Sequence, residues 1–385
     1  MPEGEEKLPA NRRKPDLRGT ALLGQDLDIR PEIAIRLLPA ERHDRAAAIW
    51  RQLEDAADRV PLPVSWVWTE TWLRHYGDVV PHRFAAGYDP DGNEVGIALL
   101  TERIRRKGPV RLRRLHLGTS GEPPGETVFV ARNGVLTTPG HRAEFAHALV
   151  SFLQTERGWH ELELSGFSES EAAPFLEADP SLVPNREPSP RLTLPEPGAG
   201  LDGVIALLSS KTRNNVRRQM RKLGEIKTEW AEDDRHRREI FEELCVLHEE
   251  RWREQGHPGV FASRRFRGFH SDLIDAAPDS VVLFRASNEQ GPIACLYALV
   301  DGEDVIGYQA GLGGGENARH SPGIVANALM MAECAERGYR TFDTGPGRAL
   351  YKRVLTNNGA GELVWARSSR LRARVLAPRW RHAGV

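Results

Sequence analysis

A short segment near the C-terminus carries two side chains whose chemistry suits a transfer reaction. Residues 342–353 read FDTGPGRALYKR, so a strand-like run ends in a turn with two glycines, and Tyr351 and Lys352 follow on a short helix. A tyrosine hydroxyl can act as a general acid, and a lysine in a closed pocket can stabilise an oxyanion or bind a carboxylate. The alternative interpretation makes Tyr351 a packing residue and Lys352 its solvated neighbour.

A glycine-rich loop followed by a helix has the pattern of an anion site. Glycines at 311 and 313–315 lead to a helix that begins at Ser321, with proline at its first position. Backbone N–H groups near Gly323 and Ile324 are therefore expected to point outward and to hold a phosphate, with Arg319 and His320 as further donors. A plain loop with a Ser-Pro helix start remains the alternative.

The strand before this loop ends in two further candidates. Tyr308 and Gln309 lie shortly before the glycines and are predicted to contact substrate. A dinucleotide-binding fingerprint is excluded, because its third glycine would have to stand where Glu316 stands and no βαβ unit surrounds the loop.

A third candidate is a basic helix. Residues 209–224 contain six cations and no acid, with Arg213 and Arg217 four residues apart on one face and Lys211 just before them. Stacked like charges repel by a few tenths of a kcal/mol per pair, roughly. The pattern predicts a binding surface for the anionic part of a ligand; a solvated helix face is the alternative.

Composition excludes several classes of protein. The 53 Lys and Arg residues balance 54 Asp and Glu residues, so a general nucleic-acid coat is excluded and no DNA partner is expected. Only 7 of the cations are lysine, which makes each lysine worth explaining. Basic runs at 103–114 and 367–381 leave a local contact with nucleic acid open.

The three cysteines have no metal-ligand or disulfide spacing and are expected in the core, and no metal site is predicted. No apolar run is long enough to span a membrane, and the N-terminus has no signal-like segment, so a cytoplasmic location is expected. Neither GxSxG nor a P-loop pattern occurs.

The pattern of helices and strands that would position these residues occurs twice along the chain. Two helices, three meander strands, a helix and a strand are predicted between about 43 and 164, and again between 202 and 343. A proline-rich stretch at 178–200 is predicted to be a linker or irregular edge segment. The predicted organisation is a disordered tail at 1–30, domains at 31–190 and 191–370, and a basic tail at 371–385.

The second half resembles a known family. The segment SSKTRNNVRRQMRKL and the segment beginning SPGIVANALMMAECAERGYRTFDTGPGRALYK are similar to those of GNAT acyltransferases, specifically the tandem-GNAT proteins called CelD-like or cellulose-biosynthesis-like. The first half matches more loosely, through Trp50, Leu53, Trp68, Trp72 and the strand GIALL. The Tyr-Lys pair is also similar to the aromatic-Lys motif of Fem-type transferases, which take an aminoacyl group from aminoacyl-tRNA.

The resemblance implies an α/β (α+β) fold with two GNAT-like domains, each a mixed β-sheet flanked by helices. It also implies an acyl-CoA cleft where the fourth strand splays from the fifth, with the phosphate-binding loop at Arg319, His320, Ser321, Gly323 and Ile324. One departure is visible, because Ile324 stands where the family usually has a second small residue.

The leading hypothesis is transfer of an acyl group from acyl-CoA, foremost acetyl-CoA, to an amine or hydroxyl of a small molecule, sugar or peptide. Tyr351 would protonate the leaving thiolate, Lys352 would bind the oxyanion or an acceptor carboxylate, and Asp343 would be a base or orient its neighbours. Arg213 and Arg217 would hold anionic groups. Acyl-CoA would be a co-substrate, no permanently bound cofactor is expected, and the protein would be a monomer or homodimer.

Two alternatives stay open. One is a Fem-like aminoacyl transferase that uses aminoacyl-tRNA and acts on a peptidoglycan precursor or a natural-product amine. The other is a non-catalytic GNAT-like protein that binds a polysaccharide or peptide precursor.

Overall fold

The computed structural model describes residues 32–107 and 110–370, which form both strands and helices. The expected tails, 1–30 and 371–385, lie outside the described residues. The strands are β1 Ala34–Pro39, β2 His82–Tyr88, β3 Glu94–Lys107, β4 Val110–Leu117, β5 Leu136–Thr137, β6 Glu161–Ser168, β7 Val183–Thr193, β8 Lys227–Trp230, β9 Val281–Asn288, β10 Gly291–Asp301, β11 Asp304–Leu312, β12 Thr341–Asp343 and β13 Asn358–Ser369.

The helices are α1 His43–Asp55, α2 Trp66–Tyr76, α3 Arg142–Thr155, α4 Glu169–Ala178, α5 Gly200–Ala206, α6 Ser210–Leu223, α7 Asp234–Glu254, α8 Arg264–Ala276, α9 Gly315–Ala318, α10 Pro322–Glu336 and α11 Leu350–Val354. The predicted helices and strands agree with these bounds within a few residues for most elements. β1 and α4 were not predicted.

The described residues form one mixed sheet with the strand order β1-β2-β3-β4-β6-β13-β7-β12-β11-β10-β9-β8. The short strand β5 pairs with β3 outside this order. Each half contains three antiparallel strands followed by a parallel neighbour: β4 pairs in parallel with β6, and β11 pairs in parallel with β12. Helices pack on both sides of the sheet. The predicted mixed α/β fold is confirmed.

The proline-rich stretch was wrongly predicted to be a linker or an irregular edge segment. Its central part is β7, which pairs with β12 on one side and β13 on the other. Pro188 and Pro190 face the turn after β12, where their carbonyl oxygens accept hydrogen bonds from the N–H groups of Gly347 and Thr344 at 2.9 and 3.0 Å. The carbonyl oxygen of a proline can accept a hydrogen bond although proline has no N–H to donate. β7 therefore tolerates these prolines on the side that faces the turn.

The two halves exchange strands at the centre of the sheet. β13 comes last in the chain but pairs with β6 of the first half, while β7 comes before the second half and pairs with β12. One hydrophobic cluster also spans both halves, with Trp68 on α2 in edge-to-face contact with Phe269 on α8 at 5.1 Å. The two halves therefore share both a sheet and a core.

The first predicted helix of the second half, expected from 202 through the basic segment, is two helices, α5 and α6. It breaks before Ser209, whose side chain accepts a hydrogen bond from the N–H of Thr212 and caps α6. Cys245, Cys295 and Cys334 are all buried and free, as expected for core residues. None of the helices among the described residues is long and apolar enough to cross a membrane.

Candidate active site

An opening in the sheet lies where β11 and β12 part. Their parallel pairing covers three residues on each strand and ends at Ile306 opposite Asp343. β11 continues to Leu312, and in the described part of the chain no strand pairs with that edge beyond Ile306. The edge therefore presents backbone N–H and C=O groups that a ligand can pair with, as an added strand would.

A β-bulge lies on β11 beside this opening. Tyr297 on β10 is opposite Gln309, and the next residue, Ala298, is opposite Gly307, so Tyr308 is the extra residue. Bulges of this kind change the direction of a strand and are frequent next to active sites. Here the bulge coincides with the point where β11 leaves β12.

Tyr308 points into the core rather than into open space. Its hydroxyl lies 3.4 Å from Nε2 of His270, and its ring lies 5.2 Å from that of Tyr297. Burial raises the pKa of Tyr308 well above its usual value. Tyr308 borders the opening through its backbone, and a substrate contact by Tyr308 or Gln309 stays a prediction.

The turn after β12 is built around the carboxylate of Asp343, which is buried. One oxygen accepts hydrogen bonds from the Ser189 hydroxyl at 2.5 Å and the Gly345 N–H at 2.8 Å, and the other accepts from Nε of Arg191 at 3.0 Å. Gly345 has a φ of 77°, and a Cβ atom there would lie 2.9 Å from the carbonyl oxygen of Gly307. The turn can lie against β11 because this residue is glycine.

Lys352 lies beneath this turn. The side chain is buried, with the residue 8% exposed, and Nζ donates to the carbonyl oxygen of Pro346 at 2.7 Å. Burial lowers the pKa of Lys352, and the carboxylates of Asp343 and Glu187 oppose that shift. An ammonium has three donors, so after the bond to Pro346 it has capacity for further acceptors.

Tyr351 is at the surface beside it. The residue is 41% exposed, and its ring centroid is 5.8 Å from Nζ of Lys352. Its partial burial raises the pKa of the hydroxyl, which favours the protonated form that a proton donor needs. The structure therefore brings Tyr351, Lys352 and Asp343 into one small region, with Lys352 buried rather than solvated.

The predicted phosphate loop lies at the start of α10. Ser321 has a left-handed backbone, with φ 50°, and its carbonyl oxygen accepts from the N–H groups of Ile324 and Val325. Because Pro322 has no N–H, the amide of Gly323 is the remaining donor of this first turn. The outward N–H expected at Ile324 is therefore used within the turn.

The two basic residues of this loop contact an acid. Arg319 donates to Glu316 at 3.2 Å, and Nε2 of His320 lies 3.4 Å from the other oxygen of that carboxylate. Nδ1 of His320 is buried and has no hydrogen-bond partner in the described residues. The free helix amide of Gly323 fits an anionic group at this position, whereas Nδ1 of His320 has no accessible surface through which a ligand could reach it.

The basic helix α6 is placed differently from the expectation. Arg217 pairs with Asp202 on α5 at 3.0 Å, and Arg213 donates to the carbonyl oxygen of Ala206 at 3.2 Å. The end of α6 that lies nearest to α9 is its C-terminus, where Asn288 bonds both the Leu223 carbonyl and Asn317.

Arg213 lies ten residues before Leu223, which is about 15 Å along a helix axis. Lys211 is exposed near the same far end. Ligand contacts by Lys211, Arg213 and Arg217 stay a prediction, and the structure does not bring these residues to the α10 loop.

The equivalent opening in the first half is filled by the chain itself. β4 and β6 pair in parallel over three residues, and Asn133 then lies between their ends. Its side-chain amide donates to the carbonyl oxygens of Leu117 at 3.1 Å and Ser165 at 3.0 Å. This opening therefore has no free strand edge of the kind found beside β11.

Sequence reasoning missed Ser189, Arg191 and Arg132, which surround Asp343. Ser189 and Arg191 lie in the stretch interpreted as a linker, and Arg132 lies in the other half of the chain. The only available signal was that the proline-rich stretch retains the alternation of a strand at Arg191 and Leu192. Among the described residues, no group of three or more His, Cys, Asp or Glu side chains is arranged to hold a metal ion.

Comparison with known proteins gives one family match and several solved structures with a similar fold. Residues 210–353 match the family of acetyltransferase (GNAT) domains. The search of curated protein sequences found no match. The matched region contains β11, β12, the turn after β12, α10 and Lys352.

Solved structures with a similar fold include FemX, with 11% sequence identity and a TM-score of 0.51, over 87% of this chain and 97% of that one. A conserved protein of unknown function from Bacteroides thetaiotaomicron has 11% identity and a TM-score of 0.49, over 88% and 100%. A tandem GNAT protein from the clavulanic acid biosynthesis pathway has 13% identity and a TM-score of 0.46, over 90% and 100%. The likeness to FemX shows the fold, and the match to the acetyltransferase (GNAT) domain family is confined to residues 210–353.

Proposed function

We propose that the protein transfers an acyl group from an acyl-CoA, foremost acetyl-CoA, to an amine or hydroxyl of a small-molecule, sugar or peptide acceptor. The observation that carries this proposal is the free edge of β11 beyond Ile306, which opens beside the turn that covers Lys352. A pantetheine amide chain can pair with such an edge. The GNAT domain match over residues 210–353 supports the same donor. A closer relation to the CelD-like proteins is part of this proposal.

The α10 loop would hold the phosphate groups of the donor. The Gly323 amide supplies a donor, and Arg319 lies at the exposed edge, with its side chain 75% exposed. Ser321 holds the loop in its left-handed turn. These residues bind and orient the donor but take no part in bond making.

The chemistry would take place near Lys352 and Tyr351. As the acceptor nitrogen or oxygen attacks the thioester carbon, the carbonyl oxygen gains negative charge, and the buried ammonium of Lys352 stabilises it. Tyr351 then donates its proton to the thiolate that leaves as the C–S bond breaks. The proton that the acceptor loses passes to solvent, and the Tyr351 phenolate takes up a proton from solvent to complete the cycle. Asp343 would orient the turn, because both of its oxygens already accept hydrogen bonds.

The decisive experiment combines calorimetry with detection of product. Acetyl-CoA and longer acyl-CoAs are titrated into the protein, and acylated products from a panel of amines and hydroxyl compounds are measured by mass spectrometry. Binding of a CoA ester and a product whose formation depends on Lys352 are expected. If no CoA ester binds, the proposal is wrong. Binding with no product from any acceptor would instead support the non-catalytic interpretation.

An aminoacyl-tRNA donor is the second candidate, and a basic surface on the first half favours it. Arg105, Arg106 and Arg111 are exposed on the hairpin of β3 and β4. Partial desolvation of the Arg105 guanidinium lowers its pKa, and the nearby cations of Arg114 and Arg367 lower it further. Tight tRNA binding that weakens steeply with salt, without binding of CoA esters, would select this donor.

A further inference from the structure

Arg132 has an unusual backbone and an unusual position. Among the described residues, it and Ser321 are the two non-glycine residues with a positive φ, 62° for Arg132. It belongs to the segment that fills the opening between β4 and β6, next to Asn133. A left-handed conformation at a residue other than glycine costs free energy and persists only where surrounding contacts fix it.

The side chain of Arg132 reaches from the first half into the second. It pairs with Asp301 at the end of β10 and with Asp304 at the start of β11, at 2.8 Å for the latter. Its Nη2 atom lies 4.0 Å from the second oxygen of Asp343, is buried and has no hydrogen-bond partner in the described residues. Arg132 therefore lies between three carboxylates of the second half.

Two hydrogen bonds and a short turn connect Asp343 to Lys352. Asp343 accepts from the Gly345 N–H at 2.8 Å, Pro346 follows directly, and its carbonyl oxygen accepts from Nζ of Lys352 at 2.7 Å. A shift of the Asp343 carboxylate would move this turn and with it the ammonium. Packed and hydrogen-bonded groups transmit displacements of this kind because the site has little free space.

We propose that Arg132 is a positioning residue for the site around Lys352, so that the first half of the chain sets the geometry of the second half's active site. This proposal rests on the proposed acyl transfer. Arg132 touches no reacting atom and acts through Asp343 and the Gly345 turn. The first half would then supply a structural part of one site rather than a second donor site, in agreement with its filled opening.

Arg59 offers a matched control. It donates from Nε to Asp301 at 2.8 Å, so it binds one of the same carboxylates, but it has no contact with Asp343. If the only role of Arg132 were to join the two halves, Arg59→Ala and Arg132→Ala would have similar effects. If Arg132 positions Asp343, replacement of Arg132 would change the position of the Lys352 ammonium, and replacement of Arg59 would not.

Kinetics give the first test. Arg132→Ala is expected to lower kcat by about 10- to 100-fold, the scale of a displacement near 1 Å at a reacting centre, while the KM for acyl-CoA changes little. Arg132→Lys keeps a cation and is expected to recover part of kcat. Arg59→Ala is expected to leave kcat within about twofold by the same reasoning. Thermal unfolding of all variants shows whether each remains folded.

Competitive labelling gives a test that needs no acyl transfer. Each protein is treated with trace acetic anhydride over a range of pH, and the labelling of Lys352 is compared by mass spectrometry with that of exposed Lys227 in the same sample. The charged groups that face Lys352 are Asp343 and Glu187, while Arg191 and Arg132 face Asp343. Loss of the Arg132 cation leaves the Asp343 carboxylate less neutralised.

The midpoint of Lys352 labelling is therefore expected to move to higher pH in Arg132→Ala and to stay in place in Arg59→Ala. Equal midpoints in wild type and Arg132→Ala would overturn the positioning role. If the wild-type protein transfers no acyl group but the midpoint still moves, the proposed function fails and the positioning role stands. Should Arg132→Ala not fold, the same comparison is made with Arg132→Gln, which also removes the cation.

Discussion

At the scale of single residues, Asp343 and Lys352 differ in how many hydrogen bonds they already make within the chain. Asp343 accepts from Ser189, Arg191 and Gly345, so it has little capacity left to take a proton from an acceptor. Lys352 has one firm partner, the Pro346 carbonyl, and two donors to spare. This difference supports the proposed division of roles, in which Asp343 orients the turn and Lys352 contacts the substrate.

Replacement of Lys352 tests that division. Lys352→Ala is expected to lower kcat by about 10²- to 10³-fold, the usual cost of removing one donor to an oxyanion. Lys352→Arg is expected to recover little, because a planar guanidinium does not fit where a compact ammonium bonds Pro346. Steady-state kinetics decide this, with Lys227→Ala as the control at an exposed lysine. Full activity in Lys352→Arg would show that the ammonium has no special role.

Buried histidine gives a second prediction, for stability. His270 is fully buried, with ring nitrogens 3.4 Å from the hydroxyls of Tyr297 and Tyr308, and burial lowers its pKa to about 3. In the unfolded chain His270 takes up a proton near its usual pKa of 6.5, while in the folded chain it does so only near pH 3. The contribution of neutral His270 is therefore complete above pH 6.5 and is lost as the pH falls toward 3.

That loss amounts to at most about 1.4 kcal/mol per pH unit in this window. In His270→Phe the free energy of unfolding is expected to fall less steeply on acidification than in wild type. Denaturant unfolding at several pH values measures it, and exposed His147→Phe is the control. Parallel pH profiles for wild type and His270→Phe would contradict the assignment.

At the scale of elements, the turn after β12 shows how the sheet makes the site. The parallel pair β11 and β12 separates after three residues, and the turn fits against β11 because Gly345 has no side chain. β7 holds the other side of the turn through the carbonyl oxygens of Pro188 and Pro190. The turn is thus fixed from both sides and carries Lys352 with it.

Gly345→Ala is expected to reduce activity more than stability. Both Gly345 and Gly338 have a positive φ, 77° and 84°, so alanine at either position has a similar backbone cost of about 1 kcal/mol. Only at Gly345 would the new Cβ meet a carbonyl oxygen, that of Gly307 at 2.9 Å, whereas Gly338 has open space. Kinetics and thermal unfolding of the two variants separate the effects. Equal activity in both variants would mean that the turn does not position Lys352.

The element scale also shows what sequence reasoning could reach. Helical and strand periodicity predicted most elements of both halves, and residue types identified the glycine turn and the Tyr-Lys pair. Both kinds of signal are local in the sequence. The stretch around β7 was misread because its prolines suggested a linker or an irregular edge segment. In the structure the carbonyl oxygens of Pro188 and Pro190 accept hydrogen bonds from the turn after β12, so no N–H group is needed there. Arg132 was out of reach, because its partners Asp301, Asp304 and Asp343 are about 170 to 210 residues away in the sequence.

At the scale of the whole molecule, the halves depend on each other. β13 joins β6 to β7, and Arg132 joins the first half to three carboxylates of the second. The chain is therefore expected to unfold as one unit rather than in two steps, since neither half has a complete sheet alone.

Separate fragments test this. Residues 31–190 lack β13, and residues 191–370 lack most of β7, so each is expected to be unfolded when produced alone. Circular dichroism and thermal unfolding of both fragments measure the result, with the chain 31–370 as the folded control. A cooperative transition in either fragment would show that the halves are independent domains with the boundary expected from the sequence.

The measurement that tests the central claim most directly is calorimetric titration of acetyl-CoA and longer acyl-CoAs into the full chain. The free edge of β11 and the filled opening beside β4 predict one binding site per chain. Binding of a CoA ester with a stoichiometry of one is the expected result. Failure of every CoA ester to bind would contradict the acyl-CoA donor, and a stoichiometry of two would contradict the assignment of a single site.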